Sequence, residues 1–228
     1  MIPRHRLVSV AHVLLLGGLT LSLAAAQEPP AKDADKEFDK MLSAAKETPE
    51  KADWVKLRHA FTKTTRYQPY NSKWREELNK LRTELKGKDP KAAEAALDKL
   101  IEREGFMRLD ALGLAAAHYG KTGQKEKETL YVQFARGVAS TIYVPGTGMS
   151  IEKPIEVLFI EEEYGFFNSL ELKAKRQGLI AHEGHKLDVF EAEANGGGEP
   201  TKFYFNVDLP QKSLGKMLER MSKKKVDE

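Results

Sequence analysis

The residues of this chain best placed to do chemistry are Glu161-Glu162-Glu163-Tyr164, three consecutive carboxyls and a phenol. If sheet and helices enclosed them, desolvation and like-charge crowding would raise a carboxyl pKa toward neutrality, where it could serve as general acid or base. The plainer alternative is a solvated acidic step at a strand end, with Tyr164, Phe166 and Phe167 packing inward, because runs of acids are mostly exposed. Glu162, Glu163 and Tyr164 are thus the catalytic candidates of a hydrolase reading, set against one in which they catalyse nothing.

His182 and His185 come nearest to a metal site. If Glu183-Gly184 is a two-residue loop, the imidazoles are cross-strand partners on one face and could chelate zinc at about 2.1 Å. Asp188, an odd number of positions further on, falls on the opposite face. A third ligand would have to come from His59 or His118, so the expectation is no metal and no other cofactor, with two exposed turn histidines instead. Gly146-Thr147-Gly148-Met149-Ser150 offers N–H groups and hydroxyls to an anion. It lacks the lysine of a phosphate loop, and a helix precedes it while a strand follows, the reverse of that motif. It reads as a flexible connection. Ser150 and Ser169 lack the Gly-x-Ser-x-Gly setting of a hydrolase nucleophile.

What must position these residues begins after a leader. Residues 1–26 have a basic start, an apolar run over 7–23 and Ala24-Ala25-Ala26, the pattern of a secretory signal peptide cut before Gln27. The cleanly apolar stretch, 13–23, is well short of the roughly 20 residues that span a bilayer. The formal charge is +3, but without Arg4 and Arg6 the balance is 35 basic to 34 acidic residues. A chain so nearly neutral has no global field for nucleic acid or anionic lipid. Cysteine is absent, which excludes disulfides and thiol chemistry, so stability must come from a core. A composition 41% hydrophobic and 31% charged is that of a folded protein.

Residues 27–50 read as a linker running into a marginal helix with Phe38, Met41 and Leu42. Asp53 is a candidate cap for a helix with Trp54, Leu57 and Phe61 on one face. Tyr67-Gln68-Pro69-Tyr70 ends it, and Ser72 is placed to cap the next helix, with Trp74, Leu78, Leu81 and Leu85. Further helices follow Asp89-Pro90, Gly105 and Gly123. Gly87 and Gly123 are 36 residues apart, near the roughly 34-residue tetratricopeptide period. Leu112, Ala116, Tyr119 and Gly123 resemble the first helix of such a repeat, although Glu128 stands where a small residue is expected. From Tyr143 the grammar changes. The strands expected are one over 155–160, a hairpin around His182-Glu183-Gly184-His185, and one in which Phe203, Phe205 and Val207 alternate with polar residues. A helix bearing Leu214, Met217, Leu218 and Met221 caps the sheet.

These landmarks form an ordered set: Asp53-Trp54, Leu57-Arg58, Tyr67-Gln68-Pro69-Tyr70, the Gly146–Ser150 loop, Glu162-Glu163-Tyr164, Gln177 and Phe203-Tyr204-Phe205-Asn206-Val207. The set resembles a family of exported bacterial proteins known as domain of unknown function 4919, over about 53–208. The family's glycine loop is more acidic, so Thr147 departs from it. The resemblance implies export and an α+β fold; it brings no activity, cofactor or catalytic residue.

The sequence therefore predicts a signal peptide (1–26), a linker (27–50), a helical repeat-like region (51–140) and an α+β region (141–228). The fold expected is α+β, with tetratricopeptide-like helical hairpins packed on a small C-terminal antiparallel sheet and a terminal helix. The function expected is a non-catalytic protein- or peptide-binding module, periplasmic or secreted. Its partner would be an envelope protein or peptide, with no nucleic acid and no transmembrane segment after cleavage. The alternative is a hydrolase, metal-dependent or not, centred on Glu162–Tyr164.

Overall fold

The computed structural model describes residues 31–87 and 90–226, so the leader-like residues 1–26 and the Asp89 half of Asp89-Pro90 lie outside it. Within it the chain runs α1 (Ala31–Glu47), α2 (Trp54–Phe61), α3 (Trp74–Glu84), α4 (Lys91–Arg103), α5 (Leu109–Lys121) and α6 (Lys125–Ile142). It continues through β1 (Ile155–Glu156), α7 (Ile160–Ser169), β2 (Leu172–His182), β3 (His185–Ala194), β4 (Thr201–Asn206) and α8 (Asp208–Val226). One hydrophobic cluster extends from Phe38 of α1 to Val207 beyond β4.

The helical layer follows its apolar spacing. Ala34, Phe38, Leu42 and Ala45 recur every three or four residues and are all buried, so the marginal helix expected in the linker is a 17-residue helix built into the core. Asp53 caps α2 by accepting the Lys56 N–H at 2.9 Å. Ahead of α3 it is Asn71, not Ser72, whose side chain accepts a backbone N–H, from Lys73. The tetratricopeptide expectation is not confirmed. Helices α5 and α6 pack closely as a pair, while α3 and α4 meet only over a short stretch. Where that repeat calls for a small residue, Glu128 leans over Gly120, and a Cβ there would stand 2.7 Å from Oε1 of Glu128.

The sheet is mixed, with order β1-β4-β3-β2. The antiparallel expectation holds for β2, β3 and β4, but β1 runs parallel to β4. β1 is also shorter than expected because β4 stops at Asn206, whose carbonyl accepts the Val157 N–H, and α7 starts at Ile160. The hairpin turn has positive φ at both Glu183 (49°) and Gly184 (84°), the pattern of a type I′ turn. Asp188, Phe190, Ala192, Phe203 and Phe205 form the buried face, against Phe166 and Phe167 of α7, with Phe167 and Phe190 ring centres 5.0 Å apart. Helix α8 caps the sheet at its start, through Leu209 and Pro210, whereas Met217 and Leu218 are exposed; the Met221 side chain lies outside the described residues. Its 19 residues extend about 28 Å, further than a four-stranded sheet is wide.

Two glycines carry packing that no other residue would permit. At Gly137 of α6 a Cβ would lie 2.0 Å from the Trp54 ring, which meets the Phe134 ring edge-on on the same helix. Gly148 has φ +83° and no room for a Cβ beside Ile155, and its carbonyl accepts the Tyr204 N–H, so the glycine loop ties itself to the sheet. Gly137→Ala is expected to destabilise the fold by about 2–3 kcal/mol by pushing α2 off α6, read as a lower urea midpoint at unchanged slope.

Candidate functional site

Arg58 follows Leu57 on α2, four residues from Trp54, so the helix turns it inward with the apolar stripe. It is 2% exposed. Its Nη2 donates to both oxygens of Glu162 at 2.8 and 2.7 Å, and Nη1 donates to Thr141 Oγ1 of α6. Glu162 Oε2 also accepts the Leu158 N–H at 2.8 Å, while the Leu158 carbonyl accepts the Tyr67 hydroxyl at 2.7 Å. Burial pushes the Glu162 pKa up, opposed by the Arg58 charge and by the N–H groups of Leu158 and Phe159. Burial, then the Glu162 charge, holds the Tyr67 hydroxyl far above the ordinary phenol range. Both oxygens of Glu162 are thus committed to structural partners.

Glu163 sits a hundred degrees further round α7 and is wholly buried. As a carboxylate neither of its oxygens has a partner; once protonated it donates to Asp188 of β3. Its pKa is pushed up to about 9, first by burial and then by the Asp188 charge. Burial also raises Asp188, whose Oδ2 accepts from Gln177 Nε2 at 2.8 Å. The Tyr164 hydroxyl donates to Gln177 Oε1 at 3.3 Å, and Tyr164 is 43% exposed. Tyr164, Gln177, Asp188 and Glu163 therefore form a polar chain from the surface to a buried proton. Tyr70 stands beside it, its pKa raised by burial and then by Asp188 and Glu163.

A second buried guanidinium, that of Arg108, stands at the N-terminus of α5. Its guanidinium carbon is 4.0 Å from the ring centre of Trp74 and 4.1 Å from that of Phe159, one ring being part of α3 and the other preceding α7. It is 2% exposed, yet Nη1 and Nη2 have no hydrogen-bond partner. Burial lowers its pKa against the pull of Glu161 and Asp110. The nearest ion-pair oxygen, Glu161 Oε2, is 3.7 Å from Nη2, and this oxygen too lacks a partner. Arg108 borders a cleft of about 230 Å³ between the starts of α5 and α7, walled by Leu109, Tyr143 and Phe159 and open at Gly165, where a Cβ would meet nothing.

The sequence candidates are thus drawn to one end of α7 but face different ways. Glu162 borders the cleft, Glu163 faces the sheet, and Tyr164 reaches Glu163 only through Gln177 and Asp188. His182 and His185 are register partners, as expected, but His185 Nδ1 pairs with Asp208 Oδ2 at 2.6 Å at the start of α8. His59 pairs with Glu156 and His118 with Glu94, and among the described residues no three His, Asp or Glu side chains are grouped to hold a metal. Three further residues of the site stand outside the candidates: Arg58, quoted above only as a landmark of the family resemblance, Asp188, placed above only on the face away from the histidines, and Arg108. The first had a readable signal, a charge on an apolar stripe, and Asp188 had one in its parity with Phe190. Arg108 had none.

An α+β fold with a buried ion pair and a half-apolar cleft defines a class of architecture rather than an activity. A family model described as Domain of unknown function (DUF4919) matches residues 37–216, and the chain belongs to that family. No curated protein and no solved structure matches it.

The Glu163 proton makes stability depend on pH. Between about 4.5, its ordinary value, and about 9 the folded chain holds a proton that the unfolded chain has lost. Stability is therefore highest at the acid end of that window and falls as pH rises, by up to about 1.4 kcal/mol per unit. Glu163→Gln keeps a donor toward Asp188 without the proton, so urea denaturation from pH 5 to 9 should give a flatter slope. At pH 8 the variant should exceed wild type by about 1–3 kcal/mol.

Proposed function

We propose that this protein is a non-catalytic binding module of the cell envelope, which holds a protein or peptide in the cleft between α5 and α7. The observation that carries the reading is Arg108, a buried cation with two unfilled donors at the edge of a half-apolar cleft. Binding sites combine apolar walls with a few convergent polar groups in this way. Burying unpaired donors costs about 1–3 kcal/mol each, a cost that a ligand supplying acceptors would relieve. The hydrolase alternative draws less support, since it needs a free carboxyl at the cleft and Glu162 is bound by Arg58 and Leu158. The α5/α6 pair, whose sequence is tetratricopeptide-like, contributes Leu109 to one wall, and Tyr143 follows it. Placement in the periplasm or medium rests on residues 1–26 and on cleavage before Gln27.

Random peptides displayed on phage, panned against protein exported from its own leader and starting at Gln27, test both parts. Peptides should be enriched by wild type and lost on Gly165→Leu, whose side chain fills the cleft. Cytoplasmic retention of the uncleaved chain would remove the envelope placement, and enrichment indifferent to Gly165→Leu would remove the cleft.

A further inference from the structure

Building on the binding role given to the cleft between α5 and α7, we propose that the group bound there is a carboxylate, from a peptide C-terminus or an acidic side chain. Glu161 is a built-in competitor occupying its place. The unfilled donors on Arg108 are its two terminal nitrogens, the end of the guanidinium that meets both oxygens of one carboxylate in a parallel pair of hydrogen bonds. Trp74 and Phe159 cover the faces of the group, so a partner must approach its edge.

The acids already nearby do not fill that edge. Glu162 is held by Arg58. Asp110 accepts from Trp74 Nε1 at 2.8 Å and from the Ala111 N–H at 2.9 Å. Glu104 commits Oε1 to Asn71 and Arg103, and its buried Oε2 reaches no donor, Arg108 included. Glu161 alone is loosely placed, at 3.7 Å, with its side chain 31% exposed. At that distance it balances the Arg108 charge without making a hydrogen bond. Swinging it into solvent uncovers Arg108, and an arriving carboxylate then replaces one negative charge by another while gaining two charge-assisted hydrogen bonds. Arg108 disfavours a cationic ligand. The volume of about 230 Å³ suits one residue rather than a long segment, being below the roughly 300–1,000 Å³ of a drug-sized site.

A competitor at Glu161 gives its removal an effect of unusual sign. In titrations of the isotope-labelled mature chain followed by amide chemical shifts, N-acetyl-leucine should bind about tenfold more tightly than its neutral isostere N-acetyl-leucinamide. Glu161→Gln should tighten N-acetyl-leucine by a further factor of roughly five to ten, because the competitor is gone. N-acetyl-glutamic α-amide, with its carboxylate on the side chain, tells the two sources apart: the tighter of the two carboxylates names the natural one. If the amide binds as well as the acid, or Glu161→Gln weakens the acid, the carboxylate assignment is overturned while the cleft stands. If no probe shifts residues of the cleft, or Gly165→Leu leaves binding intact, the cleft itself is overturned.

Discussion

Arg58 and Glu162 are 104 positions apart and share one desolvated contact. Neither charge could remain buried alone, since an isolated ion in the interior costs several kcal/mol even after relaxation. The position of each is therefore dictated by the other. Arg58 brings α2 and, through Thr141, the end of α6; Glu162 brings α7 and, through Leu158, the segment leading from β1. Tyr67 closes the same knot by donating to the Leu158 carbonyl. Helical layer and sheet layer meet at a point fixed by electrostatics as well as by apolar contact, so α7 has little freedom to rotate about its own axis.

That fixed rotation decides what the neighbouring carboxyls can do. With Glu162 turned toward Arg58, Glu163 must face the sheet, where burial leaves it protonated against Asp188. Glu161 must face α5, where it meets Arg108 without reaching hydrogen-bond distance. One helical turn thus presents three chemically identical residues in three states: a bound anion, a neutral acid and a loosely held counterion. Only the third has the freedom and the unsatisfied neighbour that ligand exchange requires.

Much of this was legible as pattern. The hairpin around Glu183-Gly184, the alternation of Phe203 and Phe205 with polar residues, the Asp53 cap and the helical spacing of α2 to α6 all follow from local rules, and the structure carries each of them. The candidates Glu162, Glu163 and Tyr164 share the start of α7, but the structure gives each of them different partners. A run of three acids gives no indication of which one will find a cation. That depends on Arg58 and Arg108, brought in from helices 104 and 53 residues away from their respective glutamates. The parallel pairing of β1 was hidden for a similar reason, since two residues beside β4 carry no periodicity of their own. The exposure of Met217 and Leu218 on α8 was hidden because an amphipathic pattern does not say how much of its apolar face the rest of the fold can cover.

The dependence of α7 on the Arg58–Glu162 contact is tested most directly by a double-mutant cycle in urea denaturation, with Arg58→Met, Glu162→Met and the pair combined. Each single change should cost about 3–5 kcal/mol because it strands a buried charge. The double variant, which strands none, should recover to within about 1–2 kcal/mol of wild type. If the two losses simply add, the residues do not act as one unit, and the orientation assigned to α7, together with the separate fates of its three glutamates, would have to be given up.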